Sequence, residues 1–463
     1  MNGGNFMNNV IEELEKNYYS RWLTSEELLS NNNIKVSDNY NSINYCGLPI
    51  GSIDNKYLVD TTINHNLIIG SNGSGKSQAI VLPMLYMASK SDESIIVKDI
   101  KGELYKQTAG YFKNNGYEVI TINLNNPAKG NSFNPLELAT YLYKNNRKDE
   151  AITLISDFTG SMMCPEPGSD PYWANTSSSY ATGLIISLIE NNEEVSLNNL
   201  YKLTTVSDEE LLDAYVSKID KNSVIYKSIA STYLAPNETK SSILSVLNQK
   251  LSAIVNKEDY ANLLLETDFD FMNIKDKKVA IYLIANQSEQ NDSIVNTFIS
   301  QACHLLENNK KCFNIILDQF DSSINPINNF ASLLNDSRTN YIRFTIVTSG
   351  FLKLNKVYGR ENVETIKLNC PNIFYLLSNE SDTIKYISEL CGKREDGNYL
   401  VSEEALKRIS IWNAIYIKQR YMPYATRLIP FYMLPIEKAE ELELTERVKK
   451  EVKLIDLEKY INE

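Results

Sequence analysis

The sequence is poor in the residues that build metal centres. It holds two histidines, His65 and His304, and six cysteines at 46, 164, 303, 312, 370 and 391, none in a C-x-x-C pair. A zinc site therefore lacks its ligands, and the thiols read as reduced core residues. No run of about 20 apolar residues occurs, so no segment spans a membrane unaided. The opening "MNGGNFMNNVIEELEKNYYS" has no apolar signal core, which predicts a cytoplasmic protein. Positive charge is scarce too. A net charge of −12 excludes a surface that is basic all over, but not a local basic groove. Internal repeats are absent.

What is present suits a soluble chain of two or three domains: 463 residues, 43% hydrophobic and 22% charged. Residues 1–50 form a polar, Asn-rich N-terminal segment with a helix expected near 8 to 19. A second helix is expected in "LTSEELLS", capped by Thr24 or Ser25. From Asn64 apolar strands alternate with helices: "HNLIIG", "ESIIVKDI" and "YEVITINL" are strands, and "GELYKQTAGYFKNNG" is a helix. Pro83 is expected to kink or end the helix that follows Lys76. This alternation predicts an α/β fold with a mostly parallel sheet covered on both faces. After "NSFNPLE" the pattern turns helical, and strands resume at "KKVAIYLIAN". The expected division is a nucleotide-binding domain over 51–135 and 271–435, an inserted all-α domain over 136–270, and a charged helical tail over 436–463.

The most informative stretch is "LIIGSNGSGKSQAIVLP", residues 67–83, which fits G-x-x-x-x-G-K-[ST] between a strand and a helix. Gly70, Gly73 and Gly75, with Ser71, Asn72 and Ser74 between them, let backbone N–H groups wrap an anion. Lys76 supplies charge to the β- and γ-phosphates. Ser77 can ligate Mg²⁺, and the helix entering through Gln78 aims its positive end at the phosphates. ATP with Mg²⁺ is the expected ligand. The second requirement is an acid at the end of a neighbouring strand. "FNIILDQF" offers Asp318 for the metal, and "IIVKDIKG" offers Asp99 in a similar place.

These stretches carry a resemblance. The chain resembles the type IV secretion coupling proteins, the TraG-like conjugation ATPases within the FtsK/HerA group of P-loop motors. "HNLIIGSNGSGKS" is similar to the family's first nucleotide motif, and "NIILDQF" stands where the second belongs. "IIVKDIKGELYKQTAGYFKNNGYEVITINLNNP" with "NSFNPL", "SDPYWANTSSSYATGLI", "APNETKSSILSVLNQKLSAI" and "LNCPNIFYLLSNESDTIKYISELCGK" resemble other family segments. The resemblance implies a RecA-like motor domain with an inserted all-α domain, assembled with copies of itself into a ring, often hexameric. It also implies recruitment of a DNA–relaxase complex to a secretion channel, with DNA as partner and ATP hydrolysis as the drive. A membrane-anchor subunit would then bring the chain to the inner face of the cell membrane.

Three departures qualify this expectation. The transmembrane helices usual in the family are missing. The second motif reads Asp318-Gln319 where Asp-Glu is usual; an amide can orient water but cannot take its proton. "IVTSGFLKL" puts Thr348 and Ser349 where the family has a Gln-containing motif. Arg338 matches an arginine that reaches a neighbouring subunit's nucleotide, although a solvated surface charge explains it equally well. A motor, a non-hydrolysing adaptor and a general DNA translocase thus remain open. Lys353, Lys356 and Arg360 beside Phe351 and Tyr358 form a small basic cluster that either faces DNA or is a solvated helix face. Trp173 reads as a packing anchor of the helical domain.

Overall fold

A computed structural model describes residues 19–165, 168–206 and 208–462. The helix expected near 8 to 19 lies outside them but for its last residue. The described residues form two sheets. A small antiparallel sheet of order β1-β3-β2 consists of β1 (Ile34–Ser37), β2 (Leu48–Ile53) and β3 (Lys56–Asp60). The large sheet contains β4 (Asn66–Gly70), β5 (Ser94–Asp99), β6 (Glu118–Asn123), β7 (Val279–Ile284), β8 (Phe313–Leu317), β9 (Ile342–Thr348), β10 (Asn372–Leu377), β11 (Asn413–Lys418) and β12 (Tyr424–Arg427). Its order is β12-β11-β10-β4-β9-β8-β5-β7-β6. All pairings from β10 to β6 are parallel, and β11 and β12 add an antiparallel edge.

The apolar strands explain the layering. Alternate side chains of β4 point to opposite faces: Leu67 and Ile69 join one hydrophobic core, Ile68 the other. Between β6 and β7 the described residues form helices and no strand. The helices Pro171–Glu190 and Asn237–Val255 bury Leu184, Ile185, Leu247 and Leu251 in the same core as Leu67 and Ile69. The other face carries the helix after the glycine-rich loop, with Ile80, Leu85 and Met87 buried.

The N-terminal segment departs from expectation. Thr24 caps Ser25–Leu29 in a capping box with Glu27, and β1 to β3 follow, three strands the sequence pattern does not single out. The β2–β3 turn places Asp54 and Asn55 at φ 49° and 64°, the left-handed pair of a tight hairpin turn. The tail also departs. Among its described residues only Lys459–Asn462 is helical; the others form an extended strap across the molecule. Its backbone bonds lie with distant segments: Gly130 N to Thr445 O, 3.0 Å; Arg447 N to Ala128 O, 2.9 Å; Asn262 Nδ2 to Lys450 O, 2.7 Å; and Ile455 N to Asn199 Oδ1, 2.8 Å. Ile455 and Leu457, two residues apart, are both buried. That spacing belongs to an extended chain, not a helix.

Candidate functional site

The glycine-rich loop leaves the C-terminal end of β4, and its shape follows from its small residues. Ser71 N donates to Leu377 O at 2.8 Å, pinning the loop to the end of β10. Ser74 N returns to Ser71 O at 3.1 Å and closes the turn. Gly73 and Gly75 adopt φ 80° and 93°, a region costly for other residues. At Gly75 a side chain would also strike the Trp412 ring, because a Cβ there would lie 2.5 Å from Cζ3. The helix begins as a wide π-turn over Ser77–Val81, in which Leu82 N donates to Ser77 O five residues back, and continues as Leu82–Lys90. Pro83 has no N–H to give Ala79 O, so the irregular first turn sits where proline forbids a regular one.

Lys76 is buried and folded back on its own loop, donating to the carbonyls of Gly70 and Ser71. Burial lowers its pKa, against the opposing pull of Asp318 and Asp321. Asp318 directly follows β8 and is 6% exposed. Burial raises its pKa to about 6, and the charge of Asp99 adds to the rise; Lys76, the Gln319 N–H and the Ser77 hydroxyl act the other way. The structure thus brings Lys76, Ser77 and Asp318 together. Three buried polar atoms around the loop lack hydrogen-bond partners: Ser74 Oγ, Gln78 Oε1 and Asp318 Oδ1. Unpaired buried oxygens are costly; Ser74 belongs to the loop, Gln78 to the first turn of the helix after it, and Asp318 to the end of β8. A carboxylate oxygen and a hydroxyl beside it form an oxygen donor set suited to Mg²⁺.

Asp99 plays a different part. Its Oδ1 accepts from Gly102 N and its Oδ2 from Tyr105 N, both at 2.9 Å, so it holds the start of the helix Glu103–Asn114. Of the two acids, only Asp318 keeps a free oxygen.

Gln319 adopts φ 51° and ψ 48°, and its carbonyl accepts from Ser322 N at 2.9 Å. Asp321 turns to β9: its Oδ2 accepts from the Ser349 N–H at 3.2 Å and from the Ser349 hydroxyl. Thr348 is fully buried and its hydroxyl donates to Gly350 O at 2.8 Å. Ser349 and Thr348 are therefore engaged in local structure. Arg338 is not brought to the loop of its own chain. It ends the helix Phe330–Thr339, exposed, just before β9 begins, at the opposite edge of the sheet.

Phe351 and Tyr358 are buried core residues, whereas Lys353, Lys356 and Arg360 are exposed. The cluster is a solvated basic helix face without base-stacking aromatics. Trp173, expected as a packing anchor, is 37% exposed and meets Tyr172 edge-on at 5.2 Å. Two features escaped the sequence reading. Lys98, on the opposite face of β5 from Asp99, is buried 3.5 Å from Asp292 and donates to Ser323 Oγ at 2.7 Å. A lysine inside an apolar strand run was its signal. Trp412 had no local signal at all.

A strand, glycine-rich loop and helix, set at the C-terminal edge of a mostly parallel sheet beside a strand-end aspartate, define a P-loop protein of RecA-like fold. The chain belongs to the type IV secretory system conjugative DNA transfer family, whose model matches residues 16–404. Among curated proteins none matches by sequence. Solved structures agree on the fold. The unbound bacterial conjugative coupling protein TrwB superposes with TM-score 0.63 at 13% identity, covering 93% of this chain and 97% of that one. TrwB in complex with ADP and Mg²⁺ gives 0.64 at 13%, covering 93% and 96%. TrwB with the non-hydrolysable analogue GDPNP gives 0.61 at 13%, covering 82% and 88%. No helix among the described residues is long and apolar enough to cross a membrane.

Proposed function

We propose that this chain is a Mg·ATP-binding coupling ATPase of conjugative DNA transfer, which recruits DNA-bound relaxase to a secretion channel. The observation that carries the reading is the convergence of Lys76, Ser77 and the half-free Asp318 on one glycine loop. Gly70 to Gln78 would wrap the phosphates with backbone N–H groups. Lys76 would exchange its two carbonyl partners for phosphate oxygens. Ser77 and Asp318 would hold Mg²⁺, which offsets charge on the β- and γ-phosphates. The structure of TrwB in complex with ADP and Mg²⁺ supports this ligand pair. Arg338, remote from its own loop, would act on a neighbour's nucleotide in a ring, or else remain a surface charge. We further assign the helices between β6 and β7 to an inserted unit, and location at the membrane to a separate partner.

A second reading has its own support. Gln319 cannot accept the proton of an attacking water, and Asp321 is held by Ser349. A chain so equipped turns over slowly, and an adaptor that binds ATP without hydrolysing it fits the same residues. The deciding measurement is ATP turnover by purified protein with Mg²⁺ and single-stranded DNA. The motor reading expects DNA-stimulated hydrolysis that Lys76→Ala removes. Turnover no greater than that of Lys76→Ala, together with tight ATP binding, leaves the adaptor.

A further inference from the structure

Trp412 stands against the phosphate loop, its ring beside Gly75. It precedes β11, which runs antiparallel to β10, Tyr375 pairing with Ile415 and Asn372 with Lys418. The start of β11 therefore lies at the sheet edge where β4 ends and the loop begins. The ring sits against Gly75: a Cβ on that glycine would lie 2.5 Å from Cζ3 and 3.0 Å from Cε3. Its backbone is held at φ 70°, unusual for so bulky a residue, and its carbonyl accepts from Leu428 N at 2.7 Å. The indole is only part-buried. Tyr432 meets it edge-on at 6.2 Å and is 62% exposed, and Ile411 and Met433 beside these rings are also exposed.

Strand order gives the ligand its direction. Asp318 follows β8, which lies beyond β9 on one side of β4; β10 and then β11 lie on the other. Phosphates whose terminal end meets Asp318 must present their nucleoside on the β10–β11 side, where Trp412 waits. We infer that Trp412 is the platform on which the base of the bound nucleotide stacks. The inference rests on the nucleotide reading above. It gives a role to a part-buried aromatic at positive φ whose ring packs on Gly75 of the loop. A π face recognises any base by stacking, so the platform adds affinity without reading base edges.

The test compares Mg·ATP with Mg·tripolyphosphate, which has the phosphates and no base, by calorimetry on the full chain and on Trp412→Phe and Trp412→Ala. Base–aromatic stacking predicts that Trp412→Ala weakens ATP by about 5- to 150-fold. Tripolyphosphate should bind within about twofold of the unaltered chain, and Trp412→Phe should recover most of the ATP affinity. In a Trp22→Phe, Trp173→Phe background, ATP but not tripolyphosphate should quench the remaining fluorescence. If Trp412→Ala weakens both ligands alike, the ring merely shapes the loop and the platform is refuted. ATP affinity unchanged in Trp412→Ala refutes it too, with the nucleotide reading intact. If neither ligand binds the unaltered chain or distinguishes it from Lys76→Ala, the nucleotide reading itself falls.

Discussion

The phosphate loop has two unlike flanks. Towards β8 and β5 it faces ionisable groups packed out of water: Lys76, Asp318, Asp99 and Asp321, with Lys98 and Asp292 behind them. Towards β11 it faces rings, Trp412 and then Tyr432, open to solvent on one side. On the charged flank Lys76 donates to its own loop's carbonyls, and Asp318 has an unpartnered oxygen and a raised pKa. The aromatic flank is built in advance, its strain met by the surrounding fold. One side would therefore respond to a nucleotide by re-pairing charges, and the other by little more than covering a surface.

The contrast breaks most completely at Lys76. Lys76→Ala removes the loop's own cation, and each charged hydrogen bond lost costs about 1.5–3 kcal/mol. ATP affinity by calorimetry should fall roughly 10²-fold or more, for ATP and tripolyphosphate equally. Equal loss for both ligands is the opposite of the pattern expected at Trp412. Gln319→Glu sharpens the contrast in rate. If the remaining parts are in place, supplying a general base should raise turnover by about 10²–10⁴ with little change in ATP affinity. No gain, with ATP still bound, would count for the adaptor.

Asp318 gives a smaller effect that depends on pH. Its carboxyl has an ordinary value of 3.8 and rises to about 6 in the folded chain, chiefly through burial. The folded protein therefore holds that proton more tightly than the unfolded chain does. The stability this contributes is complete below about pH 4 and is lost as pH climbs through about 6. Without ligand, Asp318→Asn should melt a few degrees higher than the unaltered chain at pH 7 to 8, and the gap should close near pH 4. Metal binding needs the ionised acid, so the same substitution should remove the Mg²⁺ dependence of ATP affinity. In the unaltered chain that dependence should weaken below about pH 6. Equal melting curves at pH 8 would contradict the buried charge.

How far these regions could be read in the sequence follows from where their determinants lie. The loop and strands β4 to β10 are written locally, in glycine spacing and apolar runs, and they stand where the sequence places them. Asp318 could not be separated from Asp99 by pattern. What separates them is that Gly102 and Tyr105 occupy both oxygens of Asp99. The strap after 436 is not the solvated helix that its charge suggests. The alternation Leu442, Leu444 and then Ile455, Leu457 was the better signal, and the bonds that fix it come from Ala128, Asn199 and Asn262. Trp412 had none, since its meaning depends on which strand edge it meets.

The finest test concerns the acid nearest to Gln319. Asp321 lies close enough to influence Lys76 and Lys98, so it is the natural rival for the missing base. Its Oδ2, however, already accepts from both the N–H and the hydroxyl of Ser349. With that oxygen already accepting from two donors, the acid is committed to the end of β9. If Asp321 braces the end of β9, Asp321→Asn and Ser349→Ala disturb one contact from its two sides. Both should lower the melting temperature by similar amounts, a net loss of about 1–2 kcal/mol for a buried hydrogen bond. Turnover by nucleotide-saturated protein should stay within about threefold in each, far less than the change a general base controls. If Asp321→Asn alone silenced the residual hydrolysis while Ser349→Ala did not, Asp321 would be the proton acceptor, and the charged flank would carry a complete motor site in an unfamiliar arrangement.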